Sequence, residues 1–100
     1  MEQTVDIRRF LDSEAKIIHL PQRRAVRVAV LAYLVGQFVP ERIYTEREVN
    51  AICDAWHTFG DYFLLRRELV EYGFLGRERD GSRYWRVPAE SAAAADLPEV

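Results

Sequence analysis

Apolar positions recur at helical spacing in some stretches of this chain and fall into short extended runs in others. Ile7, Phe10 and Leu11 are spaced for a short amphipathic helix over residues 4–11, stopped by Asp12 and Ser13. Lys16 to Leu20 reads as a brief extended segment. Pro21 then stands where a helix can begin, since its missing N–H costs nothing in a first turn. From Gln22 to Phe38 apolar residues occupy nearly every face: Val26, Val28, Val30, Leu31, Leu34, Val35 and Phe38. Only Arg23, Arg24 and Arg27 mark a polar side, near its start. Such a helix is central to a core or part of an interface. Pro40 ends the pattern, because the residue before a proline avoids the helical region.

Ile43-Tyr44 is a short β-like pair. Thr45 followed by Glu48 is a capping box, in which each side chain satisfies the other residue's free backbone N–H. Val49, Ile52, Cys53 and Trp56 give the helix behind it one apolar face. Thr58-Phe59-Gly60 predicts a three-residue turn of the length and glycine content found in helix-turn-helix junctions. Asp61 is a good N-cap for a third helix, which runs to about Tyr72 and stops at Gly73. With Leu65, Leu69, Tyr62 and Tyr72 inward, that helix presents Phe63, Arg67, Val70 and Glu71 outward, and Arg66 at the margin. Leu75–Arg79 and Arg83–Val87 flank Asp80-Gly81, a strong hairpin signal.

That order predicts an α+β winged helix-turn-helix, a three-helix core plus a β-hairpin wing, with a short N-terminal helix. The expected organisation is an N-terminal helix and extended arm over residues 1–20, the winged domain over 21–87, and a disordered tail over 88–100. The tail is alanine-rich and acidic, with little to bury.

Composition adjusts this picture only slightly. One hundred residues suit a single small domain, and 49% apolar with 12% aromatic content supports a real core. No apolar run approaches the ~20 residues that span a bilayer, so no membrane association is expected. The first residues lack a basic stretch followed by an apolar one, so no secretory signal is expected. A single cysteine, Cys53, excludes an internal disulfide and suits a reducing cytoplasm. Net charge is −2, yet from Arg23 to Arg86 there are 11 arginines against 9 acids. That small positive excess permits nucleic-acid binding without demanding it.

Several strings resemble a known family. They are Phe10-Leu11-Asp12, His19-Leu20-Pro21-Gln22-Arg23, Tyr44-Thr45-Glu46-Arg47-Glu48-Val49-Asn50, Phe59-Gly60-Asp61, Leu65-Arg66-Arg67-Glu68-Leu69-Val70, Gly73-Phe74-Leu75 and Asp80-Gly81-Ser82 with Tyr84-Trp85. Together they resemble the bacterial domain of unknown function numbered two thousand and eighty-seven, over roughly Arg9 to Val87. The resemblance implies a domain found alone or attached to helix-turn-helix regulators, hence a role in transcription. It carries over no catalytic or ligand residue. One departure is Ala15, where the pattern leads one to expect glycine in a turn.

The candidate chemistry is nucleic-acid binding. The second helix of a helix-turn-helix enters the major groove, where Arg66 and Arg67 could fork onto guanine or clamp phosphate. Asp61, Glu68 and Glu71 accompany them, making that helix net −1 and eroding the counterion-release term. The plainer alternative pairs these arginines with acids of the same helix or with Glu46 and Glu48. Arg77, Arg79, Arg83 and Arg86 make the hairpin the stronger electrostatic candidate for a groove or backbone contact. They equally suit a charged strand edge that resists edge-to-edge pairing. Arg23, Arg24 and Arg27 would add a second basic patch.

Tyr84-Trp85 would stack on unpaired bases, or one ring packs on the core while the other lies under an arginine stem. Cys53 and His57, four apart on one helix, have a metal-ligand spacing, but zinc takes three or four ligands. The simpler reading is a buried thiol and a histidine near a helix end that favours its positive charge. No metal or cofactor is expected. Without a Ser-His-Asp set or a glycine-rich phosphate loop, catalysis is not expected either. The expected partner is duplex DNA, in transcriptional control. The alternative is a protein-interaction or dimerisation module on the same fold, with a homodimer or a regulator protein as partner. Its contact face would be the Tyr62–Tyr72 helix or the long apolar helix.

Overall fold

Helices in this chain start and stop largely where local hydrogen-bonding groups allow. In the computed structural model, which describes residues 5–88, α1 spans Arg24–Val35, β1 Ile43–Tyr44 and α2 Glu46–Ala55. They are followed by α3 at Tyr62–Glu71, β2 at Leu75–Arg77 and β3 at Tyr84–Arg86. The strands form one antiparallel sheet in the order β1-β3-β2. The fold is α+β, three helices with a small three-stranded sheet. Thr4 and, Pro88 apart, the expected tail lie outside the described residues.

The capping box is present in both directions. Thr45 Oγ1 accepts from the Glu48 N–H at 3.1 Å, and Glu48 Oε1 accepts from the Thr45 N–H at 2.9 Å. Asp61 Oδ1 caps α3 by accepting from the Leu64 N–H at 3.1 Å. At its other end Gly73 takes φ +80. The Gly73 and Phe74 N–H groups then return to the Val70 and Leu69 carbonyls at 3.1 and 2.8 Å, closing the helix.

Several boundaries differ from expectation. The long helix is shorter than Gln22–Phe38, because after Val35 the Gln37 and Phe38 N–H groups return only three residues, to Leu34 and Val35. That tighter turn drives Phe38 into the core, edge-on to Tyr44 at 5.2 Å between ring centroids. The predicted N-terminal helix is, in the described residues, a single 3-10 turn at Arg8–Phe10. Asp6 takes both the backbone N–H and the guanidinium of Arg8, a local bond that competes with helix. Leu11 is then extended and bridges to Ile17.

Between α2 and α3 the connection is six residues, 56–61, rather than three. Ile17 lies beside it as a parallel bridge partner of His57, with Ile17 N–H to Trp56 O at 2.8 Å and Thr58 N–H to Ile17 O at 3.0 Å. The helix–helix loop is therefore braced from outside by the arm. The hairpin also differs: strands end at Arg77 and resume at Tyr84, and the Glu78 N–H to Arg83 O bond at 2.9 Å encloses residues 79–82. Gly81 takes φ +78 within that loop, so Asp80-Gly81 reverses the chain, though not as a two-residue turn.

One core joins these parts. Val30, Leu31 and Leu34 of α1, Val49 and Cys53 of α2, Leu65 and Leu69 of α3, and Leu75 and Tyr84 of the sheet are all buried in it. Phe10, Ile17 and Leu20 of the arm complete it. No large apolar side chain of α1 is exposed. Much of the surplus apolar surface that the sequence assigned to this helix is covered from within the chain, with Val26 and Val28 left partly exposed.

Candidate functional site

The sheet has two faces. Tyr44 and Tyr84 point into the core, whereas Ile43 and Trp85 lie on the outer face, as strand alternation requires. The Trp85 indole lies across Gly76, where a Cβ would come within 2.5 Å of the ring. Tyr84 is thus the core residue of the pair, and it is this ring rather than Trp85 that lies beside an arginine, with the Arg77 guanidinium 5.7 Å from the Tyr84 centroid.

Where α3, the start of α2 and the hairpin meet, a groove of about 260 Å³ opens. From α3 it receives Phe63, Arg66, Arg67, Val70 and Glu71, and from β2 and β3 it receives Arg77 and Tyr84. Glu46, in the first turn of α2, forms its remaining wall. The arginines expected on helix and hairpin do converge here, but only three of them.

Their states differ. Arg66 is largely buried, at 14% side-chain exposure, and is bonded to Asn50 Oδ1 at 2.6 Å and to Glu46 Oε2 at 3.3 Å. It also covers the Phe63 ring at 5.0 Å. This is the pairing with an acid of α2 that the sequence offered as the plainer alternative, and it makes Arg66 a tie between helices. Arg67 is exposed and has no ion-pair partner among the described residues, so its charge is available to the groove. Arg77 is exposed too, its guanidinium beside the Tyr84 ring.

The other candidates scatter. Arg79 is exposed in the hairpin loop, and Arg83 pairs with Glu78 at 3.0 Å. Arg86 donates to the Phe38 carbonyl at 2.8 Å, fastening β3 to the turn after α1 and facing away from the groove. Arg24 covers the Tyr72 ring at 5.4 Å, and neither it nor Arg23 lines the groove. Arg27 is committed to Glu68 at 2.9 Å and to the Pro21 carbonyl. Tyr62, expected inward, is 41% exposed at the start of α3 beside the outward Phe63.

Two residues that the sequence reading left aside matter most here. Beyond the string that carries the family resemblance, Glu46 was expected only as a counter-charge and Asn50 had no expected role, since nothing in one chain says which polar residues of α2 will face α3. Asp80 in the hairpin loop is held ionised by local donors. The Ser82 hydroxyl and N–H keep Asp80 below the usual carboxylate range, so a fixed negative charge stands among Arg79 and Arg83.

Cys53 is buried, which pushes its thiol up to about 12. His57 is not a charged helix-end residue. Its Nε2 faces the Asp61 N–H at 2.7 Å and must accept, leaving Nδ1–H to donate to the Cys53 carbonyl at 2.7 Å. Both ring nitrogens are used in shaping the α2–α3 loop. Among the described residues no three His, Cys, Asp or Glu side chains gather where a metal would need them. No described helix is long and apolar enough to cross a membrane.

Residues 16–86 match a family described as an uncharacterized protein conserved in bacteria, DUF2087. The chain belongs to that family. The DUF2087 match begins just after the Ala15 turn, takes in Ile17 where it braces the α2–α3 loop, and ends at Arg86 on the last strand. The whole groove lies inside it. No curated protein and no solved structure matches the chain.

Proposed function

We propose that this DUF2087 chain is a winged helix-turn-helix domain that binds duplex DNA, without catalysis, in transcriptional control. The element order α1-β1-α2-α3-β2-β3 with sheet order β1-β3-β2 supports that reading of the α+β fold. The observation that carries the binding is that Arg67 of α3 and Arg77 of the hairpin line one groove, neither held in an ion pair among the described residues. In this reading α3 lies in the major groove with Arg67 toward bases or phosphate, and Arg77 and Arg79 grip the backbone alongside. Glu46 and Glu71 limit the attraction, so affinity is modest and depends steeply on salt.

The test is a salt titration of binding to duplex DNA. The logarithm of affinity is expected to fall linearly with that of salt concentration. Arg67→Ala and Arg77→Ala should each reduce the slope by about 1. A protein that retains no duplex at low salt, or whose affinity ignores both substitutions, is not a DNA-binding domain of this kind.

A second reading has a specific observation behind it. Tyr62 and Phe63, 41% and 52% exposed, form an apolar start to α3, which suits a protein-docking or dimerisation face. Concentration-dependent light scattering that changes on Phe63→Ser, with no duplex retained, would favour it over DNA binding.

A further inference from the structure

Glu46 is an awkward residue for a DNA groove, since a carboxylate there repels phosphate. Its contacts account for its presence. Oε2 lies 3.3 Å from the Arg66 guanidinium on α3, and Oε1 lies 3.4 Å from the Tyr84 hydroxyl on β3. At 3.4 Å the hydroxyl contact is long, so its pull is chiefly that of a charge on a dipole. The hairpin loop passes close to the same oxygen: a Cβ added to Gly81 would stand 3.3 Å from Oε1 and 2.9 Å from Arg77 Nη2. Gly81 is buried there although it belongs to a surface loop. One side chain in the first turn of α2 therefore touches the helix and the strand that bound the groove and lies close to the loop between the strands. The free N–H groups of that turn favour its negative charge.

From this we infer that Glu46 is the positioning residue of the groove, setting where the hairpin stands relative to α3. The inference rests on the DNA-binding reading for its consequence, though not for its geometry. Electrostatics alone and positioning then predict opposite results for Glu46→Gln. Removing a negative charge and releasing Arg66 would tighten DNA binding. Losing the tether lets the hairpin move away from α3, so that Arg67 and Arg77 no longer meet one duplex together. Glu71 provides the control: it is exposed, lines the same groove and has no ion pair among the described residues.

The experiment measures affinity of the full chain for a short mixed-sequence duplex at low salt, together with amide hydrogen exchange without DNA. Glu46→Gln is expected to weaken binding by about tenfold, the loss of one well-placed charged contact, and to speed exchange in residues 77–84 while α2 and α3 keep their protection. Tyr84→Phe, which keeps the ring, should shift both readouts the same way by less. Glu71→Gln should tighten binding several-fold with exchange unchanged. Tighter binding by Glu46→Gln, or hairpin exchange equal to that of the unaltered protein, overturns the inference. Exchange that speeds throughout the chain also overturns it, because the residue then serves stability alone. If the unaltered chain retains no duplex, the DNA-binding reading fails by itself. Hairpin exchange still decides whether Glu46 holds the loop.

Discussion

Ala15 adopts φ +66, a left-handed conformation that its Cβ opposes, in the turn that brings Leu11 back beside Ile17. The surroundings hold it there. Its N–H donates to the Asp12 carbonyl at 2.9 Å, and its carbonyl accepts from the Tyr33 hydroxyl at 2.7 Å. The departure from glycine at this position was visible in the sequence, and the backbone angle gives it meaning. Replacing Ala15 by glycine removes a conformational cost of about 1 kcal/mol and adds a smaller entropic one in the unfolded chain. Chemical denaturation of Ala15→Gly should accordingly show a gain of roughly 0.5 kcal/mol. A clear loss would mean that the turn is not strained. Other single-residue properties were not readable in advance. His57 lies within the reach of a helix-end charge effect, but only the fold aims the Asp61 N–H at its ring.

Elements were most legible where their ends are made by local chemistry. Thr45, Glu48 and Asp61 needed only neighbours three residues away, and all three act as the spacing requires. The Glu48 carboxyl is held below its usual value of 4.5, first by the Thr45 backbone N–H and also by Arg42. A carboxylate with a folded pKa below its unfolded one contributes stability that is full above the unfolded value. That stability is lost as pH falls through the folded value. Below about pH 4.5 the cap therefore weakens. Melting temperatures of Glu48→Gln followed from neutral pH downward should lie below those of the unaltered chain at neutral pH and converge on them in acid. A constant difference across that range would show that Glu48's charge is not what caps α2. Boundaries set by distant groups were not legible. The α2–α3 loop lengthens because Ile17 pairs with it from a separate segment. The predicted first helix shrinks because Asp6 and the Leu11–Ile17 bridge claim its backbone.

At the scale of the molecule, the arginines divide into those that hold the fold and those that remain available. Arg27 spans α1 and α3 through Glu68, with both side chains under one fifth exposed. Arg66 spans α2 and α3 through Asn50 and Glu46. Arg67, Arg77 and Arg79 stay at the surface of the proposed DNA-binding side. Removing Arg27 should leave Glu68 half-buried and unpaired and cost about 2 kcal/mol. Removing the exposed Arg79 should change stability by less than about 0.5 kcal/mol. Equal losses in denaturant midpoints would contradict this division. The sequence alone could not sort these residues, because a polar helix position looks the same whether it meets an acid or water.

The sequence by itself determined the local devices. They are the caps of α2 and α3, the glycine that ends α3, the reversal at Asp80-Gly81 and the amount of apolar surface to be buried, each set by residues within a few positions of one another. Tertiary structure alone decided which arginines are used up, how the arm covers α1 and braces the α2–α3 loop, and that Glu46 stands at the meeting of helix, strand and hairpin. Those outcomes depend on pairings between segments tens of residues apart. Such pairings are chosen by the packing of the whole core and leave no periodic trace in the chain.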